Sequence, residues 1–252
     1  MKTFPFFALM AIFTTLFIAC SSDGDDITDD ENATDDEVAV TELHAAFEEF
    51  NSEATEIYLS NNGTTVTIET TGLPNHETVY WGEGNDLYRE EPDVRLTPSI
   101  MSSNNNASTI IVDAVPNLVG STSQTQLGTI GIAVSGSAIF NDQEGGGTLD
   151  QAAGSLDWTG AHIGPGVYHY HLEPVAFTND DDNLVGVLLD GVFLYGRRDY
   201  PSNEYPADLD ESGGHFGPTP HNSDGEYHYH IINEIYSTTG SYIAFAGPFQ
   251  GY

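Results

Sequence analysis

After residue 51 the chain alternates between short apolar-polar runs and clusters of Gly, Pro, Asn and Asp, which predicts many short strands and few helices. Residues 56–59 and 64–70 flank Asn61-Asn62-Gly63, a hairpin turn by composition. Residues 72–76 close that unit, 79–81 and 108–115 read as further strands, and 86–98 and 102–106 read as loops. The β-rich run 127–140 is interrupted by Gly131 and Gly136, which suits one long, bent strand. Residues 141–147 form a loop by composition. Residues 184–189 and 192–195 flank Asp190-Gly191, a second hairpin signal, and residues 241–245 make a last strand. Helical spacing is confined to residues 41–50, where Leu43, Ala46, Phe47 and Phe50 share a face and Thr41 can cap. The expectation is a mainly β, antiparallel sandwich or barrel-like domain over 38–252, with one short N-terminal helix and an internal repeat.

The repeat is chemical as well as structural. Tyr168-His169-Tyr170-His171 returns as Tyr227-His228-Tyr229-His230. On a strand the two histidines of each copy share one face and the two tyrosines the other. Glycine-rich approaches bring further histidines: His162 before the first copy, His215 and His221 before the second. Two imidazoles at i and i+2 can reach one metal ion, and two such strands side by side would offer four nitrogens. Both copies are therefore expected to meet at one site. His169, His171, His228 and His230 lead the candidate ligands, followed by His162, His215 and His221. Imidazole suits zinc or copper best here, with iron also open, and no thiolate is near to build a cysteine-type zinc site. The plainer alternative is an aromatic sheet surface whose histidines are hydrogen-bonded to their neighbours.

Other groups carry two readings each. Asp190 is a turn residue, or its carboxylate faces the histidines as a ligand or as the acceptor that metal-bound imidazoles need. Arg197, with Arg198, clamps an anionic substrate or balances local carboxylates. Asp208, Asp210 and Glu211 precede the second Gly-His turn and offer an oxygen ligand. His44 lies on the helix and reads as a solvent-exposed or core-edge residue rather than a ligand. His76 is a turn histidine that can approach it. The acidic run 179–183 reads as a turn, since it lacks the spacing of a calcium loop.

The doubled tetrads, the Gly-His turns before them, and Leu189-Asp190-Gly191-Val192-Phe193-Leu194-Tyr195-Gly196 between them resemble the bacterial YHYH-domain family over about residues 130–252. The resemblance implies a metal-binding domain without a settled reaction. Relatives of that type often carry cysteines near the Gly-His turns and the C-terminus, and this chain has none there.

Charge narrows the partners. Five Lys plus Arg against 39 Asp plus Glu give a net charge of −34, which disfavours nucleic acid and anionic membrane surfaces and suits an extracellular surface or attraction to cations. Residues 1–19 read as a lipoprotein signal peptide, with Lys2 before an almost wholly apolar run too short to span a membrane. Leu16-Phe17-Ile18-Ala19-Cys20 looks like a lipobox, so Cys20, the chain's one cysteine, is the expected lipidation site. Residues 20–37 are acidic, free of aromatics and expected to be a disordered tether. The expected location is the outer membrane, reached through that anchor, with the domain exposed on its outer face.

Three function classes follow. The first is a surface lipoprotein that binds a transition metal for capture, sensing or structure. The second is a metal-dependent extracellular hydrolase or oxidoreductase with an open position on a three-histidine site. The third is a metal-free adhesion or glycan-binding module.

Overall fold

The computed structural model describes residues 38–251 apart from Thr97, Pro98, Val119 and Pro165; the expected signal peptide, Cys20 and the tether lie outside the described residues. The chain is mainly β. The first strands, β1 (Thr55–Leu59), β2 (Thr65–Thr70) and β3 (Ser108–Asp113), form an antiparallel three-stranded sheet. Gly63 turns between β1 and β2 at φ 75°, as the Asn-Gly signal requires.

The remaining large sheet has eight strands. They are β4 (Gly131–Ala133), β5 (Ala138–Ile139), β8 (Ala161–Ile163), β9 (Tyr168–Tyr170), β10 (Leu184–Leu188), β11 (Phe193–Tyr195), β12 (Gly214–Thr219) and β13 (Asn222–His230). Two small hairpins complete the set: β6 (Gln143–Glu144) with β7 (Gly147–Thr148), and β14 (Ile235–Tyr236) with β15 (Ser241–Tyr242).

Across the eight-stranded sheet the order is β12-β13-β11-β10-β4-β5-β9-β8. That order is two copies of one four-stranded unit back to back. In each, a hairpin is followed by a second hairpin whose later strand lies parallel to the first hairpin's later strand: β9 beside β5, β13 beside β11. The halves join where β4 and β10 pair antiparallel with Ile132 opposite Val187. Those two residues are equivalent, since Ile130-Gly131-Ile132 and Val185-Gly186-Val187 open the two units. A local twofold therefore passes between them. Gly131 and Gly186 permit the close approach: a Cβ on Gly186 would lie 2.2 Å from the Ile132 carbonyl oxygen, and one on Gly131 2.6 Å from that of Val187.

The two sheet faces bury different sets. The three-stranded sheet covers the middle of one face, packing Val66, Ile68, Ile110 and Val112 against Ile132, Val187 and Phe193. Phe47 and Phe50 join that layer. Their helix is shorter than expected, a 3-10 turn at Ala45–Glu49 capped by His44 rather than Thr41. The opposite face carries Tyr168, Tyr170, Val185, Leu188, Leu194 and Tyr229 under Tyr80, Phe245 and Phe249. Burying each large apolar side chain contributes about 1.5–3 kcal/mol.

Two strand expectations are corrected. Val79–Trp81 is a 3-10 turn whose Thr78 side chain accepts from Tyr80 N. The run 127–140 folds into the β4–β5 hairpin, because Gly136 at φ 97° turns the chain instead of bending it.

Two candidate metal centres

The histidine side chains follow from the sheet's period. Paired residues on neighbouring strands share a face, so His162 on β8 stands directly opposite His169 on β9, and His171 lies two residues beyond His169. The three rings meet with centroids 4.7–5.3 Å apart. The second unit repeats this with His215 on β12 opposite His228 on β13, and His230 two residues on. Its centroids lie 4.8–5.1 Å apart.

Each trio is joined by a carboxylate from the chain that leaves an equivalent strand, Glu144 five residues after β5 ends at Ile139 and Asp199 four residues after β11 ends at Tyr195. Glu144, on β6, brings Oε2 to 3.3 Å from His162 Nε2 and 3.3 Å from His171 Nε2. Asp199 brings Oδ1 to 3.6 Å from His215 Nε2. The two groups, Glu144-His162-His169-His171 and Asp199-His215-His228-His230, each hold their ligand atoms within 4.8 Å of one another. All six histidines are buried and can hold a metal ion with their carboxylate.

The expectation of a single shared site is corrected. Antiparallel pairing of the equivalent strands β4 and β10 sends the rest of each unit outward in opposite directions. The tetrads become the second and seventh strands of the sheet, about 24 Å apart at ordinary strand spacing.

The hydrogen bonds decide where the imidazole protons sit. His169 Nδ1–H donates to the Val167 carbonyl at 3.0 Å, and His171 Nδ1–H to the Asn141 carbonyl at 2.6 Å. His162 Nδ1 meets Ser155 Oγ at 2.9 Å. That hydroxyl gives its own proton to the Ala152 carbonyl, so it accepts from His162. In the second group the acceptors are the Glu226 carbonyl for His228, the Gly196 carbonyl for His230 and Asp208 Oδ1 for His215. Carbonyls and carboxylates only accept, so every Nδ1 is the protonated nitrogen in the neutral ring. Every Nε2 lone pair then points inward.

Inside the first centre, Nε2 of His169 lies 3.1 Å from that of His162 and 2.9 Å from that of His171. In the second, Nε2 of His215 and His230 are 3.3 Å apart. A tetrahedral shell with metal–ligand distances of about 2.0–2.1 Å sets its ligand atoms about 3.3 Å apart. The spacing fits. Asp199 Oδ1 is buried without a hydrogen-bond partner, as a carboxylate oxygen waiting for a cation would be.

Burial disfavours the charged form of four of these rings. Desolvation lowers His162 to about 4 and His230 to about 3, and it pulls His169 well below and His228 below the ordinary value. Phe140 stacks on His169 at 3.6 Å, and Tyr195 packs edge-on to His228. Small residues keep the approach clear: a Cβ on Gly164 would sit 3.3 Å from His162 Cε1, and one on Gly217 3.5 Å from His228 Cε1.

The other candidates stand behind or apart from these atoms. His221, in the β12–β13 turn, bonds through Nδ1 to the Tyr195 hydroxyl at 2.9 Å and lies outside both groups. Asp190 is the turn residue of the β10–β11 hairpin. Its Oδ2 accepts from the Tyr229 hydroxyl at 2.6 Å and from Gly251 N at 3.2 Å, so it faces the tyrosine side of the sheet. Asp210 accepts from Ser212 N, Gly214 N and the Tyr227 hydroxyl. Arg197 is buried on Glu173 and Asp180, with its guanidinium over Tyr242, so it balances local carboxylates. His76 reaches Tyr170 from the far face, Nε2 to hydroxyl at 2.6 Å.

Sequence reasoning missed Glu144, Asp199 and Asp157. Asp157 mirrors Asp210: its Oδ1 accepts from Thr159 N and Ala161 N, and its Oδ2 from the Tyr168 hydroxyl. A signal for Asp157 was present. Asp157-Trp158-Thr159-Gly160-Ala161-His162-Ile163-Gly164-Pro165 and Asp210-Glu211-Ser212-Gly213-Gly214-His215-Phe216-Gly217-Pro218 are one repeat, longer than the tetrads alone. No family model, curated protein or solved structure matches the chain.

Proposed function

We propose that this chain is a metal-binding protein with two equivalent transition-metal centres, each a three-histidine, one-carboxylate shell. One observation carries the reading. In each centre three Nε2 atoms and a carboxylate oxygen lie within 4.8 Å of one another, their closest pairs at 2.9–3.6 Å, with every Nδ1 proton already committed outward. Lone pairs at that separation repel unless a cation lies among them. The cost of burying six imidazoles this way is recovered when the ion binds. A nitrogen-rich, thiolate-free donor set favours zinc, with copper and iron as the other fits.

The YHYH-family resemblance belongs to the same proposal, as does the location. The lipobox at Cys20 supports a lipid anchor at the outer membrane. Among the described residues no helix is long and apolar enough to cross a membrane. The role that follows is metal capture, sensing or structural use at the cell surface. The enzyme reading has one observation in its favour, an unequal approach to the two centres.

The test is elemental analysis of tag-free protein after loading and desalting. Two ions per chain are expected, one in His169→Ala, one in His228→Ala and none in the double variant. Folded wild-type protein that takes up no transition metal would refute the reading and make the histidines structural.

A further inference from the structure

The two centres are built alike, yet their surroundings differ. A cavity of about 730 Å³ opens beside the first, bordered by Glu144 and His162 themselves, with Phe140, Leu127, Gln151 and Arg95. That is the size of pockets that hold small organic molecules. The pocket against His228 and His230, walled by Tyr195, Tyr200 and Pro218, has no room for a water molecule. His230 also borders a cavity of about 340 Å³, whose charged lining is Asp210, Glu211 and Glu234, all acidic.

Charge separates them further. Of the described basic residues, Arg89 lies over Trp158, while Arg197 and Arg198 pair with Asp180. Arg95 is exposed on the first cavity, and its guanidinium makes no hydrogen bond or ion pair with the described residues. In a chain of net charge −34, that cavity has Glu144 as its one acidic lining residue, and Glu144 is turned to the histidines. The groups behind the ligands differ too. His162 donates to the neutral Ser155, whereas His215 donates to the Asp208 carboxylate. A divalent ion at the first centre therefore keeps a positive charge that Glu144 alone does not cancel. At the second, Asp199 and Asp208 cancel it together.

We propose that the first centre is a ligand-binding site that takes a small organic carboxylate, while the second is structural. The ligand's carboxylate lies between the ion and Arg95, adding a fifth donor to the four-ligand shell, and its apolar part lies against Phe140 and Leu127. This rests on the metal reading above, and it gives that reading a substrate class. Arg–carboxylate pairing is among the stronger charge-assisted contacts, and the stacked Phe140 supplies apolar area beside the ion.

The test uses full-length, tag-free protein loaded with cobalt(II), whose visible spectrum reports its coordination, and titrated with benzoate. A saturable spectral change from one of the two ions is expected. It persists in His215→Ala and is lost in His162→Ala. Arg95→Ala, at an exposed side chain, keeps both ions and weakens benzoate about tenfold. If His215→Ala does not fold, Arg95→Ala carries the test alone. Two cobalt ions with no benzoate response, a response that survives in His162→Ala, or an unchanged affinity in Arg95→Ala overturns the proposal and leaves the metal reading standing. Failure to bind cobalt at all overturns both.

Discussion

At the residue scale, the proposed metal binding depends on which nitrogen of each histidine carries the proton. Outward acceptors on all six Nδ1 atoms leave six inward lone pairs in the neutral rings, and burial favours the neutral form of His162, His169, His228 and His230. The metal-free protein should consequently be acid-labile. His162 and His230 fall to about 4 and about 3 when folded, against an ordinary value near 6.5. Between those limits the unfolded chain binds more protons than the folded one, so stability is full above pH 6.5 and is lost as pH falls. By pH 5 each of the two should have cost up to roughly 2 kcal/mol, read as a lower urea midpoint than at pH 7.5. On the other face of the strands the tyrosine hydroxyls are tied in as tightly. Asp190→Ala leaves the buried Tyr229 hydroxyl and Gly251 N without their acceptor, and should cost about 1–3 kcal/mol in a denaturation measurement.

At the element scale, the period-two alternation and the turn residues carried most of the reading. The Asn62-Gly63 and Asp190-Gly191 turns, strand β3 and the facing of His169 with His171 all follow from local rules. Departures have local causes as well. Val79–Trp81 is apolar and aromatic enough to be a strand, but the Thr78 cap closes it into a turn. Gly131 and Gly136 look alike as strand-breakers, yet only Gly136 has positive φ; Gly131 lies in β4 because β10 runs too close for a side chain. Gly186→Ala should therefore disrupt the joint between the halves, costing at least about 1–3 kcal/mol as overpacking does. An unchanged thermal midpoint would contradict that account of the joint.

At the scale of the whole molecule, the eight-stranded sheet is a duplication, and its twofold gives each unit its own centre. Sites about 24 Å apart with no shared ligand should act independently. The stabilisation by saturating zinc in His169→Ala and in His228→Ala should sum to that of the unaltered protein within about 0.5 kcal/mol, measured by thermal unfolding with and without chelator. A larger deviation would mean that the central strands couple the two centres.

The sequence alone determined the β class, the two tetrads, the face shared by the histidines and the candidate donor chemistry. Those rest on periodicity and side-chain type, which act over a few residues. Tertiary structure decided how many centres there are, because that depends on β4 meeting β10 in the antiparallel sense. It also chose Glu144 and Asp199 among 39 acidic residues, since each reaches its histidines only after the chain has left β5 or β11. Pairing direction and loop approach are set by contacts between residues far apart in the chain, and no local pattern encodes them.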